Sequence, residues 1–352
     1  MLEGGVQGFA FASGMAAIST TLMLFSAGDH IIVTEDVYGG TYRLLSNILT
    51  RMNIETTFVD MTQPELVKSA LKANTKAVYM ETPSNPTLKI TDIAEISAWA
   101  REKGLLSIVD NTFMTPYYQR PIELGTDIVL HSATKFLGGH SDVLAGLAVA
   151  RTEELARQLK YVQNGLGTVL GAQDSWLLMR GMKTLGARMA HSEISARKLA
   201  DWLSRRGDID AVYYPGLPEH PGREVQEKQS TGYGAVVSFD VGSGERAKRL
   251  LNRVKLPLVA VSLGAVESIL SYPPMMSHAS MPPEVRAERG ITTGCCVSPS
   301  GLRTSTICSP IWTRRFGIVN RIYCMNQGRS CGPLVFAPVK RVLFFWADLC
   351  YD

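Results

Sequence analysis

The sequence predicts an α/β protein: a mostly parallel central sheet covered by helices, followed by a smaller C-terminal α/β domain. Three observations carry that prediction. Short apolar runs alternate with amphipathic helical patterns through the first 150 residues. Several of those runs end in a polar residue. A 352-residue chain with 45% hydrophobic content also holds enough apolar material for one large core and a lesser one.

The elements follow in order. Residues 4–28 are uncharged but carry five hydroxyl residues and several glycines, with acids on both sides. They read as a strand, a turn and a buried helix, not as a membrane span, which needs about 20 predominantly apolar residues. Strands are then predicted at His30–Thr34, Glu55–Val59, Ala77–Glu81, Leu105–Asp110, Asp127–His131 and Gly146–Ala150, with helical patterns at Thr41–Arg51, Pro64–Leu71 and Asp92–Lys103 between them. Helices near Glu153–Asn164, Gln173–Met182 and Arg188–Arg206 follow. The run Ala211-Val212-Tyr213-Tyr214, the Pro/Gly-rich turn at Pro215–Gly222 and the strand Ala235–Asp240 build the second domain. The boundary is expected near residue 186, giving domains 1–186 and 187–294.

Polar residues at strand ends are how open α/β sheets assemble sites. One run delivers Ser132-Ala133-Thr134-Lys135, a lysine with hydroxyls one and three residues before it. Such an amine suits imine chemistry on a phosphate-bearing aldehyde. Another run ends at Asp110, and a third at Met80-Glu81-Thr82-Pro83. Asp110 and Lys135 are thereby candidates for one crevice, although Asp110 also fits a strand-end acid capping the next turn. Ser13-Gly14-Met15 opens the buried helix, whose first amides suit a phosphate. Tyr38, before Gly39-Gly40, fits either a turn aromatic or a ring contact. His131 and His140 match no common zinc spacing, and no metal site is predicted.

Charge narrows the partners. Seven of the 36 basic residues but two of the 32 acidic ones fall in residues 295–352, leaving the preceding 294 residues with 29 against 30. That near-neutral body has no basic stripe, so neither nucleic acid nor membrane is an expected partner. No basic segment precedes an apolar one at the amino terminus, and the expected location is cytoplasmic.

Taken together, Ser13-Gly14-Met15, Asp36-Val37-Tyr38-Gly39-Gly40-Thr41, Glu81-Thr82-Pro83-Ser84-Asn85-Pro86, Asp110-Asn111-Thr112, Ser132-Ala133-Thr134-Lys135 and Ser262-Leu263-Gly264 resemble, in this order, the pyridoxal-phosphate enzymes of cysteine and methionine metabolism. The resemblance, to the cystathionine γ-synthase/lyase-like family, runs from about Leu2 to Thr293. Val33–Tyr38, Ser268–Pro273 and Met276-Ser277-His278-Ala279 look most like its bacterial β-lyase members.

The resemblance implies a fold-type I transferase-like architecture and pyridoxal 5'-phosphate as cofactor. It implies that Lys135 bonds the cofactor aldehyde and carries the substrate α-proton, that Asp110 faces the pyridine nitrogen, and that Tyr38 stacks on the ring. Ser13, Gly14, Met15, Ser132 and Thr134 are implied around the phosphate, Asn85 near the ring hydroxyl, Thr112 near the ring, and Ser262 at the substrate. The implied reaction is carbon–sulfur cleavage of a small amino acid, cystathionine or a related thioether, with γ-synthase or γ-lyase chemistry as the alternative. A homo-oligomer is implied by the same analogy.

Two departures stand beside these matches. Family members carry some tens of residues ahead of the position of Met1, an arm with a tyrosine and an arginine that reach a neighbouring subunit, and the chain is expected to lack it. At the other end, all six cysteines fall in residues 295–352. Where the family continues Gly-Ile-Thr-Asp-Gly-Leu-Leu-Arg-Leu-Ser-Val-Gly, this chain reads Gly290-Ile291-Thr292-Thr293-Gly294-Cys295-Cys296-Val297-Ser298-Pro299-Ser300-Gly301. Codons chosen for Thr293–Ile307 and read one frame over restore the family string. A frameshift near Thr293 is therefore expected, with residues 295–352 an aberrant, irregular tail. The arginine lost with that string is the family's clamp for the substrate α-carboxylate. Arg303 lies close in number but in unlike surroundings, and the role is not carried to it. A non-catalytic chain that keeps the cofactor fold is the alternative of another class.

Overall fold

The computed structural model of the protein describes residues 2–302. A seven-stranded sheet contains β1 (Gln7–Phe11), β2 (His30–Thr34), β3 (Glu55–Val59), β4 (Thr75–Glu81), β5 (Leu106–Asp110), β6 (Ile128–Ser132) and β7 (Gly146–Ala150) in the order β1-β7-β6-β5-β4-β2-β3. Strands β2 to β6 run parallel, while β7 is antiparallel to both β6 and β1.

The helices of this part are α1 (Gly14–Leu22), α2 (Gly39–Arg43), α3 (Pro64–Ser69), α4 (Ile93–Glu102), α5 (Thr115–Tyr118), α6 (Glu153–Leu166), α7 (Ala172–Met182) and α8 (Leu185–Ser204). Their starts are legible: the side chains of Ser13, Asp92 and Thr152 accept from backbone N–H groups of the first turns of α1, α4 and α6. The predicted Thr41–Arg51 helix is instead a path of changing pitch, in which α2 gives way to a π turn at Leu44–Ile48 and a 3₁₀ turn at Leu49–Met52. Asn53 ends it in the left-handed region, at φ 57°.

Alternation along the strands fills two separate cores. Ile31, Val33, Ala77, Tyr79 and Ile108 pack with Leu22 of α1 and Leu159 of α6. Ile32, Val78, Met80 and Val109 pack with Ile93, Ile96 and Trp99 of α4. Helices on both faces explain why these strands are apolar at successive central positions, and each fully buried aliphatic side chain contributes about 1.5–3 kcal/mol.

After α8 come β8 (Ala211–Tyr213), α9 (Arg223–Gln229), β9 (Val236–Asp240), α10 (Gly244–Arg253), β10 (Leu258–Val259), β11 (Ile269–Leu270), α11 (Pro283–Glu288) and β12 (Cys295–Pro299). Strands β12, β9 and β8 form a three-stranded antiparallel sheet. Its core joins Ala196, Ala200 and Leu203 of α8 to Val237, Phe239, Leu250 and Cys296.

Strand β12 corrects part of one expectation. Residues 295–299 are not irregular: all five are buried and pair in register with β9, Cys296 opposite Phe239 and Val297 opposite Ser238. Reduced cysteine packs as a small apolar residue, so Cys295 and Cys296 satisfy a buried strand where the family string has leucines. Burial also pushes both thiols up, that of Cys296 to about 12, which keeps them protonated and unreactive. Arg303 and the rest of the expected tail lie outside the described residues.

Candidate active site

Three neighbouring strands deliver polar residues to one edge of the large sheet. β4 ends at Glu81, β5 at Asp110 and β6 at Ser132, with Glu81 directly opposite Asp110 in the parallel ladder. Asp110 Oδ1 accepts from the Thr112 amide at 3.0 Å and from the Thr112 hydroxyl at 2.5 Å. The same Thr112 hydroxyl oxygen accepts from the Ser132 amide at 2.8 Å. Asp110, Thr112 and Ser132 are thus locked together, and the Lys135 amide donates to the Ser132 carbonyl at 3.1 Å.

The start of α1 meets this group. A Cβ on Gly14 would lie 2.8 Å from the Ser132 Cβ, so glycine is what lets the first turn approach. Gly146 of β7 serves the same packing, since a Cβ there would fall 2.1 Å from the Ser13 carbonyl oxygen. Ser13 itself caps α1, its Oγ accepting from the Ala16 amide at 3.0 Å. The first turn of α1 contains no acidic residue, so its positive end is uncompensated by its own helix.

Lys135 is held from the far part of the chain. Its Nζ donates to Ser262 Oγ at 3.1 Å. Gly264, at φ +82°, sits so close that a Cβ would lie 2.6 Å from the Phe136 amide nitrogen, which presses the Ser262–Gly264 turn onto the lysine's backbone. Tyr38 arrives from the turn after β2. Its amide donates to Glu81 Oε2 at 2.9 Å, and its ring and the Met15 sulfur both border the space that a Cβ on Gly40 would fill. The Asn85 carbonyl accepts from His278 Nε2 at 3.1 Å.

Thr134, implied at the phosphate, stands at the β6–β7 connection. Its hydroxyl donates to the Ala145 carbonyl at 3.2 Å and accepts from the Ala145 amide at 3.1 Å, so its one hydrogen is spent closing the β6–β7 connection. The other implied residues converge: Ser13, Gly14, Ser132, Thr112, Asp110 and Lys135 through contacts around Ser132, and Tyr38 with Met15 beside them.

Burial dominates the electrostatics. It raises the Asp110 carboxyl above the usual carboxylate range, against the pull of the Thr112 hydrogen bonds and the His131 charge. Burial, followed by the Asp110 charge, raises Glu81 well above that range. Glu81 went unassigned in the sequence reading, although it ends an apolar strand by the same rule that found Asp110. Two further buried groups were also unassigned. Asp36 accepts from the Ser84 hydroxyl at 2.5 Å and the Thr87 amide at 3.1 Å, tying the Tyr38 turn to the Ser84–Thr87 turn. Glu3 Oε1 meets His131 Nε2 at 2.6 Å and Asn111 Nδ2 at 3.0 Å. Their partners are distant in sequence, so only the fold reveals them.

On the substrate side, aligning the family string on Gly290–Gly301 sets Val297 opposite its arginine. Val297 is 3% exposed, exchanges backbone hydrogen bonds with Ser271, and belongs to the apolar cluster that includes Leu263.

The Cys/Met metabolism PLP-dependent enzyme family matches residues 1–296. Cystathionine beta-lyase MetC of Bacillus subtilis (strain 168) is 59% identical over 293 residues, covering 83% of this chain and 75% of that protein. Cystathionine gamma-lyase of the same organism is 55% identical over 293 residues, covering 83% and 77%. Among solved structures, cystathionine gamma-lyase from Lactobacillus plantarum complexed with L-serine superimposes with a TM-score of 0.88 at 44% identity, over 90% of this chain and 83% of that one.

Proposed function

Because the chain belongs to the Cys/Met metabolism PLP-dependent enzyme family, we propose that it is a pyridoxal 5'-phosphate-dependent carbon–sulfur lyase that cleaves cystathionine, with water, to homocysteine, pyruvate and ammonia. The observation that carries this reading is the convergence of Asp110, Lys135 and the start of α1 on Ser132.

The residues present fit the cofactor. Asp110 is 7% exposed and has no lysine or arginine ion-pair partner among the described residues, so a protonated pyridine nitrogen supplies the cation that its burial calls for. The uncompensated positive end of α1, together with the Ser132 hydroxyl, suits a phosphate dianion. When bound, the cofactor supplies an electron sink for the substrate α-carbon.

This chain's own residues do the rest. Lys135 would hold the cofactor through its aldehyde, and its Nζ, placed by Ser262, would carry the substrate α-proton. Asp110 keeps its carboxylate, braced by Thr112, against the ring nitrogen. Tyr38 would stack on the ring face. Ser13, Gly14, Met15, Ser132 and Thr134 would hold the phosphate. Asn85 stands by the ring hydroxyl.

A γ-lyase or γ-synthase reading is the enzyme alternative, supported by a γ-lyase at 55% identity beside the β-lyase at 59%. A cofactor-binding chain with impaired turnover is supported by Val297, an apolar residue in the place of the carboxylate-binding arginine. We also propose a cytoplasmic homo-oligomer, a division near residue 186 and a changed reading frame from about Thr293, the last supported by the family match ending at residue 296. Product analysis separates these readings. Pyruvate from cystathionine reports β-elimination, 2-oxobutyrate reports γ-elimination, and bound cofactor without either product reports impaired turnover.

A further inference from the structure

We propose that Glu81 is a positioning residue that fixes the Tyr38 turn above the sheet edge where Asp110 ends β5. The inference rests on the reading of that edge as the cofactor site and adds a residue to it.

The geometry is specific. Glu81 and Asp110 are direct ladder neighbours, 6% and 7% exposed, so two carboxyl groups share one buried corner. Glu81 Oε2 takes the Tyr38 amide at 2.9 Å. Tyr38 stands at the N-cap of α2 yet makes no side-chain capping bond, and the two residues after it are packed so tightly that a Cβ on Gly39 would fall 1.8 Å from the Ser277 carbonyl oxygen. The turn is therefore shaped by contact on one side and by the Glu81 hydrogen bond on the other. Removing that bond takes away the Glu81 tether and lets the Tyr38 ring drift from Met15.

The charge state of Glu81 makes it suited to the task. The groups that act on it are Asp110 from β5, Asp36 from the turn after β2 and the Tyr38 amide, with Tyr79 two residues back on its own strand. Among the described residues it has no lysine or arginine ion-pair partner. Burial first, then the Asp110 charge, and lastly Asp36, push its carboxyl well above the usual range and so favour its neutral form. A neutral carboxyl accepts the Tyr38 amide through its carbonyl oxygen as a carboxamide does, and it places no second negative charge beside Asp110.

The test uses the full chain carrying pyridoxal 5'-phosphate, with cofactor affinity read from its absorbance. Glu81→Ala weakens affinity roughly 5–10-fold, the loss of one buried hydrogen bond, and Glu81→Gln restores it to within about twofold of the unaltered chain. Combined with Tyr38→Ala, the Glu81→Ala change adds less than about twofold, because both act through one ring. A second arm needs no cofactor. Since Glu81 binds its proton more tightly folded than unfolded, its stabilisation is complete below about pH 4.5 and is lost as pH rises. Glu81→Gln therefore melts above the unaltered chain by about 2–4 °C at pH 8, with the gap closing toward pH 5. A Gln variant as weak as Ala, additive losses with Tyr38→Ala, or melting curves of Gln and unaltered chain that run parallel across pH would overturn the proposal. If the unaltered chain and Lys135→Ala give the same cofactor spectrum, the site reading itself fails. A lysine-dependent spectrum with a flat Glu81 series overturns the Glu81 role alone.

Discussion

The seven-stranded sheet and the three-stranded sheet are built by the same alternation of strand and helix, yet they end differently. Strands β4, β5 and β6 each finish on a polar residue tied to a neighbour: the Glu81 carboxyl to the Tyr38 amide, the Asp110 carboxyl to Thr112, and the Ser132 backbone to the Thr112 hydroxyl and the Lys135 amide. Strand β12 places Cys295, Cys296 and Val297 in three different apolar clusters and brings no charge with it. The contrast teaches that a sheet tolerates loss of chemistry more easily than loss of burial. Cysteine and valine satisfy β12 as packing, although one of those positions aligns with an arginine that would grip a carboxylate.

The largest effects should come from the chemically furnished edge. Lys135→Ala removes both the cofactor attachment and the proton carrier, and turnover measured as pyruvate release falls by at least about 10²–10⁴-fold. Asp110→Ala leaves cofactor bound but nearly idle, with a loss of the same order read against an unchanged cofactor content. If either variant keeps most of its rate, the contrast between the two sheets has no chemical meaning.

A gain at the poor edge sharpens the comparison from the other side. Val297→Arg supplies a bidentate donor, and kcat/KM for cystathionine rises about 10–100-fold, the worth of a charge-assisted hydrogen bond. Melting temperature falls at the same time, because a buried valine site receives a charge. An unchanged KM with full stability would mean that position 297 lies away from the substrate.

Much of the first sheet was legible because each signal was local. Strand ends at Asp110 and Ser132, the glycine after the Ser13 cap, and Lys135 all declare themselves within a few residues. The resemblance put Ser262 at the substrate, and nothing near it in sequence announces its hydrogen bond with Lys135, 127 positions away. Glu81 carried the same strand-end signal as Asp110 and passed unassigned because its partner is a backbone amide, which no side-chain pattern reveals. Thr134 takes its phosphate role from the resemblance, and its hydrogen bonds to Ala145, 11 positions on, are visible only in the fold. The irregularity expected from Cys295 onward failed for β12 because an abrupt change in residue type was read as a loss of pattern, although apolar character persisted across it.

The smallest expected effect concerns the link between the two parts. His220 is buried and its Nε2 bonds the Leu88 carbonyl at 2.9 Å. Burial lowers its basicity, so the folded chain binds that proton less readily than the unfolded chain does. Stability is thus complete above the ordinary histidine value of about 6.5 and declines as pH falls below it. His220→Gln should flatten the fall in melting temperature between pH 7 and pH 5 by about 1–2 °C. A slope that does not change would assign that acid sensitivity to other buried histidines.

The most direct measurement of the central claim is peptide mapping after borohydride reduction of the chain incubated with pyridoxal 5'-phosphate, which fixes the cofactor to whichever amine has bonded its aldehyde. The account predicts the label on the peptide containing Lys135, with that label retained in Asp110→Ala and absent in Lys135→Ala. A label on another lysine, or none at all on a folded chain, would contradict it.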